Sequence, residues 1–361
     1  MGTNEKYMIQ LDGLRFLAVV AVMFGHWTGD VPALAGLDFI AGTAGVNLFF
    51  VLSGFLISQI LMVNKSENRS LGEVLKNFYA RRFLRIFPLY YLVIGLSALL
   101  HIPKARLFFP YLVKYTFNYP TGLLRAATGN MAHLWSLSVE EQFYIFFPFV
   151  ILLIPEKLQL RFFYLLILIS MAFRVLCSLM FEHPGVAQWV SYSFTPGCFD
   201  CFALGAILAY YKLNDPAKLQ RLLGQRLIVY VAALTSIALY VLVAYRPNNL
   251  LTMVFGRTMM AIFFFWLVGM AGLGKFKAGF GRFIQWKPVV YLGKISYGLY
   301  VYHYFMPWAF GHFHLEHPQI YYLPATILIA TISWYSFELP FNDLKRFFAY
   351  EKKRQVAKVV V

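Results

Sequence analysis

An all-α, polytopic membrane bundle of about ten transmembrane helices is the fold class the sequence predicts, and three observations carry that expectation. The first is composition: of 361 residues, 60% are hydrophobic, 19% aromatic and only 13% charged, against ~45–50% apolar and ~25% charged in an ordinary soluble domain. The second is that the apolar residues gather into stretches close to the ~20 needed to cross a hydrocarbon core. The third is the distribution of basic residues. Thirty-two Lys and Arg against 16 Asp and Glu give a net charge of +16. On a soluble domain that balance would suggest nucleic acid, but a membrane protein places its basic residues in cytoplasmic loops. A soluble globular protein is excluded, and so is a disordered chain, because 37 Phe, 24 Tyr and a mean hydropathy of +0.62 are the opposite of a sequence too polar to collapse.

Ten apolar stretches follow in order, at about 11–28, 42–62, 84–101, 134–154, 162–181, 196–211, 227–245, 250–273, 289–310 and 319–337. With the N-terminus inside, 23 basic residues fall in cytoplasmic segments and five in outer ones. Both termini (1–10 and 338–361) are therefore expected in the cytoplasm. The outer loop 102–132 runs against the rule with four bases and no acid; it is expected to dip towards the membrane or to meet an anionic substrate. The first stretch has no small-residue cleavage site before it and is expected to remain as a helix. Without a linker, repeat or change of composition, residues 1–361 read as a single membrane domain with no soluble appendage.

Ionisable groups inside a bilayer cost several kcal/mol, about 2.5–3.5 on insertion scales, so those that persist mark sites. The first stretch carries Asp12, Arg15 and His26. Eleven residues at ~100° each close to within about 20° of three turns, so Arg15 and His26 share a face about 16 Å apart along the axis. Asp12, one turn before Arg15, can pair with it. A histidine there suits a general base, because imidazole titrates near neutrality; the plainer alternative is a core histidine bonded to a neighbouring helix. In the second stretch, Gly45, Asn47, Ser53 and Gly54 read as helix contacts or a bend.

Before the third stretch, Arg81, Arg82 and Arg85 precede Phe87-Pro88. Arg82 and Arg85, three apart, present a double guanidinium suited to phosphate, although bases at this place also anchor to anionic lipid. The fourth stretch opens on His133, Ser136, Glu140 and Glu141. His133, Ser136 and Glu140, at i, i+3 and i+7, make one polar stripe, and adjacent carboxylates opening an apolar run either work or pair with Arg or Lys. Arg174 and Asp200 read as a buried structural pair. Cys177, Cys198 and Cys201 include a CxxC without a partner pair and read as small packing residues. In the ninth stretch, Lys294, Ser296, Tyr297, Tyr300 and His303 give a polar side, with His303 expected to be a satisfied core histidine. No metal-ligand spacing or nucleotide-binding glycine loop appears.

At these residues the sequence resembles the acyltransferase 3 family of integral-membrane acyltransferases. The likeness runs through Leu11–His26, Gly45–Ser58, Phe78–Pro88, His133–Pro148, Gly197–Ala209, Ile295–His303 and Phe337–Pro340. The family's Arg, ten residues, His signature falls on Arg15 and His26, its RxxR on Arg82 and Arg85, and its WSLxxE element on Trp135–Glu140. Many larger members carry a soluble esterase-like domain after the membrane part. This chain resembles the stand-alone form, similar to bacterial O-antigen, exopolysaccharide and Nod-factor O-acetyltransferases.

The resemblance implies transfer of an acetyl group from acetyl-CoA to a hydroxyl of a cell-surface or lipid-linked carbohydrate, in a bacterial cytoplasmic (inner) membrane. Catalysis would fall to His26, Glu140 and Arg15, donor binding to Arg81, Arg82 and Arg85, and support to Asp12, His133, Ser136 and Glu141. Acetyl-CoA would be a substrate rather than a resident cofactor, with membrane lipids as surroundings and no nucleic acid partner. A thioester donor needs a base, anchors and oxyanion stabilisation. The alternative is a transporter or flippase for an anionic or lipid-linked glycan, whose pathway would use the same intramembrane charges.

Overall fold

The computed structural model describes residues 7–28, 36–245, 249–311, 313 and 317–349. Among them there is no strand, and eighteen α-helices run in the order α1 (Ile9–Trp27), α2 (Leu37–Ser66), α3 (Leu71–Leu99), α4 (Ala105–Val113), α5 (Asn118–Leu124), α6 (Trp135–Leu153), α7 (Glu156–Met180), α8 (Pro184–Ser193), α9 (Phe199–Asn214), α10 (Pro216–Gly224), α11 (Arg226–Tyr245), α12 (Arg257–Gly272), α13 (Ala278–Ile284), α14 (Lys287–Lys294), α15 (Ser296–Tyr302), α16 (Met306–Phe310), α17 (Gln319–Ser333) and α18 (Leu339–Asp343). The all-α polytopic bundle expected from the sequence is the observed architecture.

The count of spans is where expectation and structure part. Seven helical stretches are long and apolar enough to cross a membrane singly: Ile9–Trp27, Leu37–Ser66, Leu71–Leu99, Thr128–Leu153, Glu156–Met180, Thr252–Gly272 and Gln319–Phe348. Two more expected spans are bent pairs, Pro184–Ser193 with Thr195–Asn214 at 69° and Pro216–Gly224 with Arg226–Leu239 at 59°. The ninth expected stretch, 289–310, is a run of short pieces. α14 stops at Ile295 (φ −90°, ψ 10°), and a 3₁₀ turn at His303–Phe305 separates α15 from α16, whose first turn holds Pro307. The apolar run is continuous in sequence, but its backbone is not one helix. The basic residues Lys6, Arg246, Lys352, Lys353, Arg354 and Lys358 used to orient the chain lie outside the described residues.

α2 is the axle of the bundle. Its 30 residues are about 45 Å long at 1.5 Å per residue, and it packs against α1, α6, α9 and α12. Small residues allow the close approach that membrane helices need. A methyl added at Gly45 would lie 2.4 Å from the Ala18 carbonyl oxygen of α1, and one at Gly54 would lie 2.2 Å from that of Phe202 in α9. The glycines of the second stretch are thus helix contacts. On the other side α1 meets α14 at Gly293, where a Cβ would come within 1.9 Å of the Asp12 carbonyl oxygen.

Away from the centre, one ionic network ties α7, α9 and α12 together. Arg174 is fully buried and donates to Asp200 Oδ2 at 2.5 Å, Val254 O at 2.8 Å, Ser170 Oγ and Thr258 Oγ1 at 3.1 Å and Gly197 O at 2.7 Å. Arg257 adds bonds to Gly197 O at 3.0 Å and Tyr192 O at 2.9 Å. Every one of these groups has a partner, which is the condition for burying charge without loss of stability. The three cysteines are buried and unpaired with one another, and Cys198 Sγ rests 3.0 Å from Arg257 Nη1.

Candidate functional site

α1, α2, α3, α6 and α15 surround a cavity of about 100 Å³ lined by Arg15, Ser53, Arg82, Arg85, Ser136, Glu140, Tyr144, Ser296, Tyr297 and Tyr300, with Val46, Phe49, Phe50, Ile86 and Leu137 as its apolar wall. Five residues singled out from three separate stretches of sequence, Arg15, Arg82, Arg85, Ser136 and Glu140, thus meet around one space. Helical spacing explains how. Arg82 and Arg85 occupy one face of α3, and Ser136, Glu140 and Tyr144, four apart, occupy one face of α6.

The cavity has two chemically different walls. One is cationic. Arg15 Nη1 is held by Asp12 Oδ1 at 2.7 Å, and Tyr7 donates its phenolic hydrogen to the other oxygen of the same carboxylate. Arg82 lies over the rings of Tyr144 and Phe78, its guanidinium carbon 5.0 and 5.8 Å from their centroids. Among the described residues no carboxylate forms an ion pair with Arg82 or Arg85. The opposite wall centres on Glu140, whose Oε1 accepts a hydrogen bond from Ser53 Oγ at 2.7 Å; Ser53 also lies 3.0 Å from the Tyr144 hydroxyl. Three guanidiniums against one carboxyl group give this space a cationic lining, the chemistry that suits an anion.

The inner end closes on Ser136 and Tyr300, whose hydroxyls are 2.6 Å apart, and the Tyr300 hydroxyl donates to the His133 carbonyl at 2.7 Å. Beyond that closure lie three histidines. His303 is completely buried; its Nδ1 is 2.6 Å from the Tyr300 carbonyl oxygen and its Nε2 is 2.8 Å from His26 Nδ1. His133 Nε2 donates to the Val301 carbonyl at 3.1 Å, and its ring stacks on Tyr304 with centroids 4.8 Å apart. His26 itself is exposed. It is not part of the cavity lining.

Other expected residues are placed elsewhere. Arg81 does not line the cavity; its Nη1 donates to the Lys345 carbonyl at 3.3 Å. Glu141 is buried on the far side of α6 without an ion pair among the described residues, and its Oε1 accepts no hydrogen bond, so the pairing with Arg or Lys considered for it is absent. Lys294 stays exposed, its ammonium 5.4 Å from the Tyr7 ring. His303, expected to be a satisfied core histidine, is buried with both ring nitrogens bonded, and one of its partners is His26. Sequence reasoning also passed over Ser53 and Tyr144. Ser53 sits beside the packing residue Gly54 and so read as another helix contact, whereas Tyr144, one turn after Glu140, carried a helical-spacing signal that could have found it.

The bundle thus carries an Arg-lined cavity towards one end of α1 and a histidine cluster at the other. The acyltransferase-domain family, Acyl_transf_3, matches residues 8–338, and the chain belongs to that family, as the motif resemblance implied. Over 93% of its length it is 26% identical to the peptidoglycan O-acetyltransferase OatA of Listeria monocytogenes, covering 56% of that protein. A Staphylococcus aureus protein provisionally named an O-acetyltransferase is 28% identical, with 93% of this chain and 58% of that one covered. The Bacillus subtilis protein YrhL, provisionally named a peptidoglycan O-acetyltransferase, is 26% identical over 83% of this chain and 49% of its own. The chain thus spans about half the length of these relatives. No solved structure matches it.

Proposed function

We propose that the chain moves an acetyl group from cytoplasmic acetyl-CoA to a hydroxyl of a cell-envelope carbohydrate, with the Arg-lined end of the bundle facing the cytoplasm and both termini on that side. The observation that carries this reading is the cavity in which Arg15, Arg82 and Arg85 converge opposite Glu140. Acetyl-CoA is an anionic donor with a slim acyl-bearing arm. Its phosphates suit Arg82 and Arg85, which have no carboxylate partner among the described residues, while Arg15, oriented by Asp12, serves as a third anchor. The arm then passes the Ser136–Tyr300 closure towards His26, about 16 Å along α1 from Arg15.

At His26, one imidazole nitrogen takes the proton of the acceptor hydroxyl as that oxygen attacks the thioester carbonyl. The O–H bond breaks and an N–H bond forms; the new O–C bond forms as C–S breaks, and the proton passes to the leaving thiolate, giving free CoA and restoring neutral His26. Glu140 orients the cavity through its bond with Ser53. The names of the relatives support a carbohydrate acceptor, since OatA is named for acetylating peptidoglycan. Purified protein in detergent, offered acetyl-CoA and a soluble glycan, should release CoA only when both are present, and His26→Ala should abolish release, because a base of this kind contributes about 10²–10⁴-fold. A transporter with the same charges would consume no acetyl-CoA.

A further inference from the structure

We infer that His303 is a positioning residue that fixes the tautomer of His26, leaving Nε2 of His26 as the nitrogen that acts; this rests on the reading of His26 as the reacting histidine. The inference follows from hydrogen-bond direction together with the burial of His303. A carbonyl oxygen can only accept, so the 2.6 Å contact between His303 Nδ1 and the Tyr300 carbonyl puts a hydrogen on Nδ1. In a neutral His303 the other nitrogen, Nε2, is then a bare acceptor. It faces His26 Nδ1 at 2.8 Å, so that nitrogen must be the donor. His26 therefore carries its hydrogen on Nδ1 and presents a bare Nε2.

The opposite direction needs a charged His303 that donates from both nitrogens. His303 has no exposed surface, and the rings that surround it are those of His26, His133, Tyr300, Tyr304 and Trp27, none of them an anion. No carboxylate pairs with it among the described residues. An unpaired charge so placed carries a large desolvation cost, which selects the neutral form. Exposure divides the pair in the way catalysis requires: His303 is sealed, whereas His26 is open. Trp27 adds to the clamp by donating its indole N–H to the His303 carbonyl at 3.1 Å.

The chain of donors, His26 Nδ1–H to His303 Nε2 and His303 Nδ1–H to the Tyr300 carbonyl, does for His26 what a buried carboxylate does for the histidine of a hydrolytic triad. It holds the ring in one orientation and tautomer and stabilises the imidazolium that forms when Nε2 takes a proton. If the acetyl group instead rests on His26 as a covalent intermediate, Nε2 is again the bonding atom, because Nδ1 is occupied.

The test compares His303→Leu, which removes the acceptor, with His303→Gln, whose amide oxygen can still accept from His26 Nδ1–H. In protein labelled with ¹⁵N-histidine and reconstituted in lipid discs, the His26 signal is assigned by its loss in His26→Gln. The expected wild-type spectrum shows a protonated Nδ1 and a bare Nε2 at His26. His303→Leu should lose that pattern and lower kcat about 10²-fold, the low end of a general base's contribution, with KM for acetyl-CoA unchanged; His303→Gln should keep the pattern and recover most of kcat. Unchanged acetyl-CoA binding by both variants certifies their fold. A bare Nδ1 at wild-type His26, or equal turnover in wild type and a folded His303→Leu, overturns the inference. Should His26→Ala keep full turnover, the base reading fails on its own, and the labelled spectrum still decides the tautomer.

Discussion

Replacing Arg82 and Arg85 by Ala separates an anion-binding cavity from a lipid anchor. In the structure both guanidiniums line the cavity, and neither has a carboxylate partner among the described residues. Removal therefore breaks no direct ion pair, and the packing lost is the contact of Arg82 with the Tyr144 and Phe78 rings, worth about 0.5–1 kcal/mol. Each charge-assisted bond to a donor phosphate is worth about 1.5–3 kcal/mol. At about 1.4 kcal/mol per factor of ten, each single variant should weaken acetyl-CoA binding roughly 10- to 150-fold. Titration calorimetry in detergent measures this directly, and size-exclusion profiles report the fold. Lys at either position should restore only part of the affinity, because an ammonium lacks the two-pronged guanidinium. Unchanged affinity in the double Ala variant would refute the donor site and return both residues to lipid anchoring.

Glu140→Gln keeps the shape of the side chain and its bond from Ser53 but removes the carboxylate, and should cost most of the transfer rate with normal folding; Glu141→Gln, remote from the cavity, should cost less, and equal mild effects in a CoA-release assay would make both structural. Arg174→Ala leaves Asp200 buried without its guanidinium, a change worth about 3–5 kcal/mol, so melting should shift sharply or expression fail, unlike Arg82→Ala. Gly293→Ala drives a methyl into the Asp12 carbonyl, backbone that cannot yield; overpacking of this kind costs about 1–3 kcal/mol, seen as a lowered melting temperature. Reporter fusions at the C-terminus and within 102–132 should place the first in the cytoplasm and the second outside.

Much of the molecule was legible because its physics is local. Apolar length marks a span whatever surrounds it, and i, i+3, i+4 spacing puts Arg82 with Arg85 and Ser136 with Glu140 without knowledge of a neighbour. What escaped is what depends on distant packing. Ser53 reads like its neighbour Gly54, yet one faces Glu140 and the other α9. His303 lies 277 positions from His26, and no periodicity connects them. The ninth stretch read as one helix because hydropathy counts side chains and is blind to the breaks at Ile295 and His303. Arg81 was grouped with Arg82 by adjacency, although consecutive residues on a helix diverge by ~100°.

Tyr300 belongs to both halves of this arrangement: its hydroxyl closes the cavity on Ser136, and its carbonyl accepts from His303. In an energised membrane each charge that crosses releases about 2.3 kcal/mol per 100 mV, so a water thread from the Arg-lined cavity to exposed His26 would drain the proton gradient at every turnover. The route is plugged at Tyr300 and Ser136 by neutral hydroxyls bonded to each other and to the protein backbone. On the proposed reading, the side chain that ends the donor's approach is also an electrical insulator, and an acyl arm that displaced it would fill with its own apolar bulk the gap through which ions would leak.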